Sequence, residues 1–108
     1  MTPVPLWWLL VDEYGALLDA GEYQTAYQDM DAYLEIVPDI YRAQFLTWPA
    51  VAARHVGDTD RADTLISEAR RLIPGISISD IRPVDLPYTN PAIPERRYVV
   101  LRELGLSD

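Results

Sequence analysis

Cysteine is absent from the 108 residues. That removes disulfides, thiolate metal sites and a cysteine nucleophile together, and gives no sign of an oxidising compartment. Lysine is absent as well, so all nine basic residues are arginine, a composition that fits a GC-rich bacterial genome. Histidine occurs once, at His55, so no paired-histidine metal pattern can form. A serine triad would have to use His55 with Ser67, Ser77, Ser79 or Ser107, and none of these serines sits in a nucleophile elbow. The five glycines are scattered and build no phosphate loop. The apolar run from Leu6 to Val11 is too short to cross a membrane and lacks the preceding positive charge of a secretion signal. The expectation is a cytoplasmic protein, not an enzyme, with no metal, no cofactor and no membrane partner.

What is present is acid, apolar residues and aromatics. The net charge of −8 argues against nucleic acid, whose phosphates call for a basic footprint. Residues 1 to 41 contain eight acids (Asp12, Glu13, Asp19, Glu22, Asp29, Asp31, Glu35, Asp39) and no base. The remainder balances nine acids against nine arginines. The plain interpretation of the acidic half is a solvated face; the sharper one is a surface that steers a basic partner. Neighbouring acids such as Asp12 and Glu13 do not share a helix face, so they make a poor acid/base pair.

Internal repetition organises the chain. Residues 18–38 align with residues 54–74 at a constant offset of 36, matching Gly21 with Gly57, Glu22 with Asp58, Ala26 with Ala62, and Pro38 with Pro74. Each glycine lets a helix end in the left-handed conformation, each alanine admits a neighbouring helix, and each proline stops the helix that follows. Between alanine and proline the apolar steps are three and four. They run through Tyr23, Ala26, Tyr27, Met30, Tyr33, Leu34 and Val37, and then through Ala62, Leu65, Ile66, Ala69, Leu72 and Ile73. Ahead of Gly21, Leu6, Leu10, Tyr14, Leu17 and Leu18 form one stripe, widened by Trp7 and Val11. Ahead of Gly57, a helix is expected from about Asp39 to His55, kinked or restarted at Pro49.

The segments Leu17-Leu18-Asp19-Ala20-Gly21-Glu22-Tyr23, with Ala26 and Pro38, and Gly57-Asp58, with Ala62, Ala69 and Pro74, resemble the tetratricopeptide (TPR) family. The tail is similar to the closing segment of such arrays attached to bacterial nucleotide cyclases and winged-helix regulators. Its matching residues are Pro74-Gly75-Ile76-Ser77-Ile78, Leu86-Pro87-Tyr88-Thr89-Asn90-Pro91, Glu95-Arg96 and Leu101 to Leu106. The resemblance implies one all-α domain, a short α-solenoid. Two antiparallel helix hairpins (about 6–38 and 39–74) are followed by a linker (75–90) and a capping helix (91–105). In that helix Asn90 caps, Pro91 opens, and Tyr98, Leu101 and Leu104 face inward.

It also implies a concave face that grips a protein or peptide, which by position is Trp8, Val11, Asp19, Gln44, Thr47, Arg54 and His55. Adjacent Trp7 and Trp8 point about 100 degrees apart, so one of them is expected at the surface. The first hairpin is expected to lack a cap of its own, and Leu6, Trp7 and Leu10 are expected to bury against a second copy in a homodimer. Three classes follow: an interaction or scaffold module, an acidic inhibitor or antitoxin-like protein for a basic partner, and a small-ligand domain among the tyrosines. Steep salt dependence of binding separates the second from the first, and stabilisation by a metabolite marks the third.

Overall fold

The computed structural model describes residues 6–85 and 92–108, and every regular element among them is helical. The α-helices are α1 (Leu6–Asp19), α2 (Tyr23–Gln28), α3 (Met30–Ile36), α4 (Arg42–Phe45), α5 (Thr47–His55), α6 (Thr59–Leu72), α7 (Ile78–Ile81) and α8 (Ala92–Glu103), with 3-10 turns at Asp39–Tyr41 and Arg82–Asp85. The expected capping by Asn90 and Pro91 lies outside the described residues, as does the motif from Leu86 to Pro91.

The two glycine turns have one geometry. Gly21 and Gly57 take φ of +79° and +91°. After α1, the Glu22 amide donates to the Leu17 carbonyl and the Gly21 amide to Leu18; after α5, Asp58 donates to Ala53 and Gly57 to Arg54. This paired closure uses the carbonyls that a helix end leaves without partners. Gly105 repeats it behind α8, at φ +102°.

The helices after these turns differ. The second, α6, is continuous. Asp58 accepts the Arg61 amide at its N-terminus, Asp60 lies in its first turn, and Arg70 and Arg71 lie in its last. Every one of these charges complements the helix dipole. The stretch after Gly21 is expected to form one helix but is interrupted at Asp29, giving α2 and α3. Glu22 makes no capping bond, Asp29 and Asp31 fall in mid-stretch, and no base stands in the last turn of either piece. Aspartate disfavours a helix interior, so the break falls where local support is weakest.

The segment from Asp39 to His55 is likewise divided, with its restart at Leu46–Thr47. Pro49 sits in the first turn of α5, where no helical amide is needed. The carbonyl it leaves without a donor is that of Phe45, and the Tyr33 hydroxyl supplies a bond at 2.9 Å. Tyr14 does the same service near the Asp29 break, donating to the Ala26 carbonyl at 2.8 Å. The two tyrosine rings stack with centroids 4.1 Å apart. Burial, and secondarily the charge of Asp29, raises the Tyr14 hydroxyl far above its usual range, so it stays a donor.

Two cores result. The first is aromatic, with Val11, Tyr14, Leu18, Tyr33, Phe45 and Trp48. The second is aliphatic, with Leu65, Ile66, Ile76, Ile78 and Ile81, and Tyr98 and Leu101 from α8. The segment from Ile78 to Asp85, expected as linker, is helical and starts from a capping box between Ser77 and Asp80.

Candidate interaction surface

The phase of α1 divides the expected stripe between core and surface. Val11, Tyr14, Gly15 and Leu18 are buried, whereas Leu6 and Leu10 are exposed. The run Leu6 to Val11 is apolar on nearly every side, so periodicity cannot orient it. The aromatic partner decides: a Cβ placed on Gly15 would lie 2.9 Å from the Trp48 ring, so the glycine side of α1 turns inward.

The expected concave face is not an open groove. Val11 and Thr47 are 1% and 0% exposed and serve packing, with the Thr47 hydroxyl donating to the Gln44 carbonyl at 2.6 Å. Neither is available to a partner. Helix α8 crosses the rest. The Arg97 guanidinium lies 4.9 Å from the Trp48 ring of α5 and 3.9 Å from the Asp19 carboxylate at the end of α1. Arg54 faces Glu103 at 3.8 Å. Asp19, Trp48 and Arg54 are therefore met by the chain's own C-terminal helix. Gln44 is half-buried. His55 stacks on Tyr23 of α2, with centroids 3.7 Å apart and planes within 4°. Burial lowers the His55 pKa from its ordinary value, against the opposing pull of Glu103, with Arg54 adding to the fall. Trp8 is half-buried in an edge contact with Trp7, and Trp7 also meets Tyr41 at 6.0 Å.

The exposed apolar surface lies on the opposite side of α1. Leu6 and Leu9 are 71% and 54% exposed. They lead to a groove of about 230 Å³ between α1 and α3. Its walls are Leu10, Glu13, Tyr14 and Leu17 from one helix and Asp29, Ala32, Tyr33 and Ile36 from the other side. Both sets follow the spacing i, i+3, i+4, i+7, which is one helix face. The stacked tyrosines belong to this lining, and Glu13 and Asp29 are exposed along it. Leu6 and Leu10 were legible as surface candidates; Leu9, Leu17, Ala32 and Ile36 were missed. The repeated i, i+3, i+4, i+7 pattern was the available signal.

A second, polar cluster holds the two halves together. Tyr27 donates to the Asp58 carboxylate, and the Arg61 guanidinium reaches Met30 Sδ at 3.4 Å and Asp31 at 3.5 Å. The Tyr27 bond, then the Arg61 amide, lowers the Asp58 pKa. These groups are occupied with one another. Among the described residues no group of three or more His, Asp or Glu could hold a metal ion, and no helix is long and apolar enough to cross a membrane. Comparison with protein-family models, curated proteins and solved structures gives no match.

Proposed function

We propose that this chain is a non-enzymatic protein-interaction module of tetratricopeptide type, working in the cytoplasm of a bacterium. The observation that carries the reading is the groove between α1 and α3 with the uncovered leucines beside it. A solvent-facing helix has no need of Leu6, Leu9 and Leu10 in one patch, and such patches serve contacts. The repeat reading draws on the two glycine turns, which share their hydrogen bonds at the offset of 36. On this reading the working face is the open side of the first hairpin, because α8 lies over the inner face.

A second reading is an acidic inhibitor or antitoxin-like protein. It is favoured by the eight acids and no base in residues 1 to 41. Affinity capture from the source cell, repeated at high salt, tests both. Partners held at high salt favour the module, and partners lost steeply favour the inhibitor. Capture unaffected by Leu6→Glu with Leu10→Glu overturns the assignment of this face. Light scattering at micromolar concentration reports whether a second copy is the partner.

A further inference from the structure

We infer that the groove between α1 and α3 receives an amphipathic helix from a partner protein, with leucine-like residues seated in the groove and arginine or lysine on its flanks. The inference rests on the interaction-module reading and names its partner's chemistry.

Three observations converge. The two walls each present i, i+3, i+4, i+7 sets, so the groove runs between helices as a slot for a third one. From Leu10 to Leu17 it spans about two helical turns, and Leu6 extends the apolar strip by another. The groove's interior is apolar, from Leu10, Leu17, Ala32 and Ile36 around the tyrosine pair. Its charges all have one sign. Glu13 and Asp29 stand on opposite walls, both exposed, and neither has a cationic partner among the described residues. No arginine occurs before Arg42, whose guanidinium is engaged with the Leu34 carbonyl at 2.9 Å.

Charge selects among occupants. A second copy docking through the same face would set the Glu13 and Asp29 carboxylates against a face whose charges have the same sign. Anionic lipid and nucleic acid meet the same repulsion. A helix with basic flanks places its cations beside these carboxylates and its apolar stripe over the leucines.

The test uses the full chain and two labelled synthetic helices, each with leucine at i, i+3, i+4 and i+7. One carries arginine on its flanks, and its twin carries glutamate at the same places. Fluorescence anisotropy should show the basic helix binding roughly tenfold or more tightly than the acidic twin, with a few-fold weakening at high salt. Glu13→Arg with Asp29→Arg should invert the preference. Among the described residues neither carboxylate makes a side-chain hydrogen bond, and circular dichroism verifies the fold. Glu13→Gln with Asp29→Asn should abolish the preference while leaving apolar binding.

The inference is overturned if neither helix binds, or if the preference is unchanged in the charge-reversed chain. It is equally overturned if sedimentation finds self-association that Leu10→Glu abolishes and the basic helix does not compete. Capture of a cellular partner that persists in the charge-reversed chain would discard this groove and keep the module reading.

Discussion

The two halves of the molecule begin their second helices from the same turn and complete them by different means. After Gly57 the helix is locally sufficient. It has a carboxylate cap, acid first, base last, and an apolar face of Ala62, Leu65, Ile66 and Ala69. After Gly21 the apolar face persists in Ala26, Met30 and Tyr33, but the carboxylate cap and the terminal base are missing, and the chain breaks at Asp29. Its missing local order is replaced from a distance by the Tyr14 hydroxyl on the Ala26 carbonyl, and Tyr33 of α3 in turn serves the Phe45 carbonyl that Pro49 leaves without a donor. Repetition of a turn does not carry repetition of the helix behind it. Capping and charge order decide that, residue by residue.

Substitutions can break this contrast, and the largest effect is expected at Trp48. It joins Gly15, Phe45, Tyr33 and Arg97. Trp48→Ala should cost about 3–5 kcal/mol in denaturant unfolding, with much of the aromatic core's near-ultraviolet circular dichroism lost. Ile66→Ala, the aliphatic counterpart, should cost about 2–5 kcal/mol and leave that signal largely in place. Next come Tyr33→Phe and Tyr14→Phe, which keep the stacked rings and remove only the donors. Each should cost about 1–3 kcal/mol, because a buried carbonyl loses its partner. If both changes are neutral in urea titrations, the hydroxyls do not substitute for local capping and the comparison fails.

Smaller effects sharpen the comparison. A Cβ at Gly21 or Gly57 would meet nothing within 4 Å, so only backbone strain is at stake. Gly21→Ala and Gly57→Ala should therefore destabilise equally, by roughly 1–2 kcal/mol. Unequal values would show that the two turns are not equivalent. The smallest effect is a pH response at His55. Its pKa is lowered in the fold, so its contribution is complete above the ordinary value of 6.5. It declines as pH falls below that value, where the unfolded chain takes up the proton first. The melting temperature at pH 5.5 should lie slightly below that at pH 7.5, and His55→Gln should flatten the difference. Asp58, lowered through Tyr27 and the Arg61 amide, adds stability that is present above the usual carboxylate range and lost only in stronger acid.

Much of the helical layout was legible because single residues enforce it. Gly21, Gly57 and Gly105 sit at left-handed turns, and α3 and α6 end just before Pro38 and Pro74. The α6 face and the inward positions of Tyr98 and Leu101 followed from spacing alone. What was illegible depends on contacts between distant segments. The six-residue apolar run of α1 has no polar face to orient it, so its phase waits on Trp48. The lie of α8, with Tyr98 and Leu101 in the aliphatic core and Arg97 against Asp19 and Trp48, brings together distant segments that no local pattern pairs. The groove was half visible: Leu10 and Leu17 stood in the α1 stripe, whereas on the other wall only Tyr33 lay on the expected apolar face, Asp29 counted among the acids, and Ala32 and Ile36 belonged to neither.

The position of Arg97 also bears on how the chain matures during synthesis. Asp19 and Trp48 leave the ribosome well before the arginine that covers them. Through that interval the nascent N-terminal part holds an indole face and a carboxylate that Arg97 has not yet reached. Its final consolidation therefore waits for the release of α8 rather than for the rate at which α1 and α5 form.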